Sequence, residues 1–323
     1  MRGKKELAVL FFIMTVLLFY IFSEKGGKTH YQLPEIAKLQ EADISELRIR
    51  NRGGEIIITK DGGQWYVGTE KYPADKALVG AMLQDITGIT LTALASESGS
   101  YAIYELDEDR RIDAEAYQGN SLMRKLAIGK PAPSFRHTFV MVGDDPRVFH
   151  AEGNFRGDFD RQVQDLRERE VLAFSDEITE ITLKKGGKEM KIVRAEPPPS
   201  ADRTSKEDTE ERPRSGATQW KTADGRPVNG EEVDQIVNTL SRLICDGFIE
   251  DRTKDDFHSP LFTATLKGSG TYSISLFEKE DKGYPAVSSG SDYPFLISEW
   301  KASKIMMDLS SMPGEGKEGE SPH

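Results

Sequence analysis

Residues 43–51, DISELRIRN, and residues 177–185, EITEITLKK, carry one pattern twice, 134 positions apart. Leu47 and Ile49 in the first copy, and Ile181 and Leu183 in the second, alternate with polar residues at the period of a half-buried strand. A glycine pair follows each, Gly53-Gly54 and Gly186-Gly187, and then a second alternating run over 55–59 and 188–193. Strand, glycine turn, strand predicts a β-hairpin in both places. Working outward, a tryptophan comes next in each copy, Trp65 and Trp220, and then Pro73-Ala74-Asp75 matches Pro227-Val228-Asn229 at an offset of 154. That offset holds through a helix. Val79, Met82, Leu83, Ile86 and Ile89 map onto Val233, Ile236, Val237, Leu240 and Leu243, the spacing of one apolar helical face. Asp75 and Asn229 are natural N-caps, with Glu232 at the capping-box position. Later, residues 146–152 resemble 293–299, and closing helices are expected over Phe159, Val163 and Leu166 and over 300–309.

The growth in offset places an insertion in the second copy. Residues 195–216, AEPPPSADRTSKEDTEERPRSG, hold three consecutive prolines and no apolar side chain larger than alanine, so they have nothing to bury and are expected to be disordered. The same composition marks the tail, 313–323.

The whole chain has 323 residues, 37% hydrophobic and 30% charged, with a net charge of −11. That length suits two domains, and that sign of charge repels phosphate backbones, so nucleic acid is excluded as a partner. One cysteine, Cys245, permits no internal disulfide or thiolate metal site; following Leu243-Ile244 it reads as a small buried hydrophobe.

At the N-terminus Arg2, Lys4 and Lys5 precede residues 7–22, LAVLFFIMTVLLFYIF, which contain no charge. With no small-x-small cleavage site after them, they predict an uncleaved signal-anchor. The basic n-region orients residues 24 onward to the extracytoplasmic, periplasmic side of a bacterial inner membrane. Gly27-Lys28-Thr29 imitates a phosphate loop but lacks the earlier glycine and the preceding strand. The expected fold class is therefore α+β: an N-terminal single transmembrane helix, then two tandem, mutually similar units of mostly antiparallel sheet with helices on one face. The expected boundaries are an n-region 1–6, an anchor 7–23, a juxtamembrane linker 24–42, and a first repeat 43–175. The second repeat follows at 176–312.

The residues offer no catalytic, cofactor-binding or metal-ligating set. His30, His137, His150, His258 and His323 include no pair at helical ligand spacing. His150 falls in a strand opposite the repeat equivalent Ile297, which reads as structural. Glu105, Asp107, Glu108 and Asp109, and the pair Asp144-Asp145 before Pro146, read as solvated turns rather than a calcium loop or an acid/base pair. An anchored hydrolase would need Glu105, Asp144 or Asp145 to line a cleft with His137 or His150. Trp65, Tyr66, Trp220, Phe257, Phe262 and Tyr272 could stack on sugars, a glycan- or peptidoglycan-binding alternative. Core packing explains the matched tryptophans more simply.

Four stretches carry a family resemblance: Tyr72-Pro73-Ala74-Asp75 after the Trp strand, Tyr104-Glu105-Leu106-Asp107, Leu126-Ala127-Ile128-Gly129-Lys130, and residues 165–174 with Leu166-Arg167. In these the chain resembles the bacterial domain family of unknown function 4340, over most of 44–175 and more faintly in the second copy. Glu105 stands where that family has glycine. The resemblance implies a membrane-anchored extracytoplasmic protein, an accessory or scaffold subunit accompanying an ABC-type permease rather than an enzyme. It implies no cofactor and no catalytic residue.

Overall fold

Two glycines decide how the second hairpin closes. Gly186 (φ +55°) and Gly187 (φ +78°) take the left-handed conformation, and Lys185 then pairs directly with Lys188. The computed structural model describes residues 12–16, 19, 31–97, 99–195 and 220–307. Two compact units emerge. The first comprises residues up to Glu70 with Ala77–Gln162, and the second Lys71–Lys76 with the chain from Val163 onward.

In the first unit β1 (Glu46–Asn51) and β2 (Gly54–Asp61) form the expected hairpin, and β3 (Gln64–Val67) follows. After β4 (Tyr72–Pro73), which belongs to the second unit, come α1 (Lys76–Thr87), β5 (Leu91–Ser96) and α2 (Tyr101–Tyr104). The rest is β6 (Ile112–Gln118), β7 (Ser121–Pro131), β8 (His137–Val142), β9 (Val148–Glu152) and α3 (Arg156–Phe159). The sheet runs β3-β2-β1-β6-β7-β8-β9-β5. α1 buries Val79, Met82, Leu83 and Ile86, the face the periodicity marks. Its C-terminal carbonyls, Ile86 O and Thr87 O, accept from the buried Arg124 guanidinium at 2.5 and 3.1 Å. Arg124 also donates to Ala37 O, which pins the extended segment ahead of β1.

The second unit contains β10 (Glu170–Ala173), β11 (Glu180–Lys185), β12 (Lys188–Arg194), β13 (Trp220–Thr222) and α4 (Gly230–Leu240). β14 (Arg242–Ile244), β15 (Gly247–Phe248), β16 (Phe262–Lys267), β17 (Thr271–Leu276), β18 (Tyr284–Ser288), β19 (Phe295–Ile297) and α5 (Glu299–Ile305) complete it. Its sheet runs β13-β12-β11-β16-β17-β18-β19-β15, the order of the first sheet strand for strand, and β10 pairs separately with β14. Ile181, Leu183, Ile192, Leu266, Ile274, Val233, Ile236 and Leu240 meet in one core, each worth about 1.5–3 kcal/mol of burial. Asn229 caps α4 by accepting from Glu231 N at 3.1 Å. Glu232 accepts from the Asn229 side-chain amide instead of closing a capping box.

The structure corrects the expected fold class at the N-terminus. Among the described residues no helix is long and apolar enough to cross a membrane, so the transmembrane helix over 7–23 is not supported. The described part of that segment is a helical stretch at 12–16 and residue 19; its other residues lie outside the described ones. So do the n-region 1–6, Gly27-Lys28-Thr29, nearly all of the insertion 195–216 and the tail 313–323. The two units themselves are mostly antiparallel sheet, as expected, and their helices are few and short. Where a closing helix is expected in the first copy, there are one turn, α3, and a 3-10 turn, Val163–Leu166. Asn51 Nδ2 donates to Phe159 O (3.2 Å) and Arg161 O (2.7 Å), taking acceptors a longer helix would use. Leu243, the last residue of the expected α4 face, sits on β14.

Candidate functional site

The second unit opens a groove beside its outermost strand. β15 has only two paired residues, Gly247 with Leu296 and Phe248 with Phe295. After Ile249 N bonds to Pro294 O at 3.1 Å, the chain leaves the sheet as Glu250-Asp251-Arg252. Facing it, Glu280 and Gly283 exchange backbone hydrogen bonds (2.8 and 3.1 Å), a tight turn that presents Asp281 and Lys282. Between them lies an open cavity of about 810 Å³. Phe248, Ile249 and Leu296 give it apolar lining; Glu250, Asp251, Glu280 and Asp281 set four carboxylates against the two cations Arg252 and Lys282.

Two arginines shape this groove. Arg252 makes a bidentate pair with Glu280 (2.9 and 3.0 Å) and lies 4.8 Å from the Phe257 ring centroid. The Glu280 carboxylate raises the Arg252 pKa, so that cation is held by its partner. Arg167, 3% exposed, inserts its guanidinium among Tyr72, Phe248 and Tyr293, with ring centroids at 3.7, 3.6 and 4.9 Å. Its Nη1 stands 3.6 Å from Glu250 Oε1 and 3.2 Å from Gln164 Oε1. Burial pushes the Arg167 pKa down, with the rings and Glu250 opposing. The guanidinium therefore ties the strand edge to the acidic groove wall.

The residues considered in the sequence go elsewhere. Asp145 is gripped by Arg147 through 2.6–3.1 Å hydrogen bonds, which hold its carboxyl below the ordinary range. Asp144 is exposed, 3.9 Å from Lys125. Glu105 is the left-handed C-cap of α2 (φ +56°), 3.8 Å from Arg156. Asp107 is held low by its hydrogen bond to Arg110. His137 and His150 lie next to each other across β8 and β9, with ring centroids 5.8 Å apart. Trp65 and Trp220 are 8% and 5% exposed, and the Trp220 indole donates to Asp234 Oδ1 at 2.8 Å. Cys245 is buried, and burial raises its thiol to about 11. Sequence reasoning missed Arg252 and Glu280; the only signal for Arg167 was the Leu166-Arg167 motif.

Two large antiparallel sheets of matching strand order, the second with a charged groove at its edge, define the class of this protein by its fold. The chain matches the family described as domain of unknown function DUF4340 over residues 65–260, and it belongs to that family. No curated protein and no solved structure matches it.

Proposed function

We propose that the chain is an extracytoplasmic accessory or scaffold subunit that docks a basic segment of an envelope protein, an ABC-type permease, in the groove beside β15. The observation that carries this is the groove's charge: four carboxylates against the cations Arg252 and Lys282, with Glu280 held by Arg252 and Glu250 3.6 Å from Arg167, so that Asp251 and Asp281 are the charges presented outward. Asp251 stands 3.8 Å from Arg252 Nε, and its side chain is 82% exposed, so a cation arriving from solvent can reach it. A rim charge of this kind governs association rate and partner choice more than bulk affinity. The resemblance to envelope proteins that accompany ABC systems supports the context.

The test is affinity purification of the full chain from solubilised membranes. The wild type is expected to bring down an envelope partner, and Asp251→Lys with Asp281→Lys is expected to lose it. A partner set unchanged by that double charge reversal, or a chain that always purifies alone, overturns the reading. Burial of Trp65 and Trp220 removes the best candidates of the glycan-binding alternative.

A further inference from the structure

The groove beside β15 has a backbone side as well as a charged one. β15 ends the sheet order, and among the described residues no strand pairs with its outer edge. Ile249 N turns inward to Pro294 O, so strand alternation directs the N–H and C=O of Phe248 outward. Among the described residues neither of those two groups has a hydrogen-bond partner. A Cβ on Gly247 would meet nothing within 4 Å, so the space over the start of the strand is open too. The opposite end of the same sheet differs: β13 is bridged on its outer side, where Pro227 pairs with Lys221.

An unpaired edge is a template for another extended chain. Here the rim decides which chain. Asp251 and Asp281 repel an acidic segment and attract a basic one, while Phe248, Ile249 and Leu296 offer apolar contact. Successive side chains of a strand point to opposite sides, so a segment alternating basic and apolar residues offers one row to each lining.

On the reading of this groove as a dock for a basic segment, we propose that the segment enters as an added β-strand, pairing through its backbone with the outer edge of β15. Main-chain hydrogen bonds hold the segment whatever its sequence, and the two aspartates select its charge. β15 has only two paired residues and the chain leaves the sheet at Glu250, so the added strand is anchored at Phe248.

The probes are synthetic hexapeptides blocked at both ends: Lys-Val-Lys-Val-Lys-Val, its Glu-Val-Glu-Val-Glu-Val counterpart, and two forms of the first, N-methylated on every valine or on every lysine. Each is titrated into the full chain, isotope-labelled at its phenylalanine amides and followed by nuclear magnetic resonance. The lysine peptide is expected to bind about tenfold or more tightly than the glutamate peptide and to slow hydrogen exchange at the Phe248 amide. Methylating one of its two alternating sets of amides should weaken it by about tenfold, and methylating the other should not. Asp251→Lys with Asp281→Lys, two exposed positions whose melts confirm folding, should remove the preference for lysine over glutamate. A lysine peptide whose binding survives both methylations, falls equally with each, or leaves Phe248 exchange unchanged overturns the strand and leaves the basic-segment reading in place. No binding, or no preference for lysine over glutamate, overturns that reading and the strand with it.

Discussion

The Arg167 guanidinium lies 3.6 Å from the centre of the Phe248 ring, at the strand that edges the acidic groove. A planar cation between aromatic faces is stabilised by the ring quadrupoles, and its buried stem fills space an ammonium would leave partly empty. Arg167→Leu is expected to destabilise the second unit by on the order of 2–4 kcal/mol in chemical denaturation. Arg167→Lys should recover less than half of that loss; full recovery would show that charge alone matters there.

Asp85 on α1 gives a pH dependence. Burial, and then the neighbouring Asp158, raise its carboxyl from an ordinary 3.8 to about 7, and its buried Oδ2 has no hydrogen-bond partner among the described residues. The folded state thus holds a proton the unfolded chain releases. This contribution to stability is complete below about pH 3.8 and is lost as pH rises through about 7. Asp85→Asn should raise the melting temperature at pH 8 and give little gain at pH 4. A gain independent of pH would contradict the assignment.

Gly129 explains a motif. A Cβ there would collide with the Tyr104 carbonyl oxygen and stand 2.9 Å from Leu106 Cγ and 3.1 Å from the Phe139 carbonyl oxygen. Backbone, not a yielding side chain, blocks it. Gly129→Ala is expected to cost on the order of 2 kcal/mol or more in a urea titration.

Glu105 tests the neighbouring turn. Its left-handed φ of +56° suits glycine. Glu105→Val should lower stability by about 1 kcal/mol relative to Glu105→Gly, since only the β-branched side chain is strained there. Equal melting temperatures for the two variants would mean the backbone relaxes.

The sequence made the duplication readable because strand alternation, glycine turns and the α1 and α4 faces are local patterns with fixed periods. Ile181 and Leu183 announce their strand, and Val233 and Ile236 their helix. Strand order is set by pairings between distant segments, so no period reports it. For the same reason His137 and His150, thirteen positions apart and in no helical register, are invisible as a pair until β8 lies against β9. The expected closing helix failed because Asn51, 108 residues from Phe159, claims its carbonyl. The groove escaped notice because Arg252 and Glu280 meet only across the sheet edge.

The central claim is that the groove beside β15 receives a basic segment of an envelope partner. A photo-crosslinking amino acid in place of Lys282, in the groove wall, tests it most directly, with the same group in place of Lys60 on β2 as the comparison. Irradiated membranes should give one discrete adduct with an envelope protein from position 282 and none from 60, and Asp251→Lys with Asp281→Lys should abolish it. No adduct from position 282, or one that persists unchanged after charge reversal, would contradict the account.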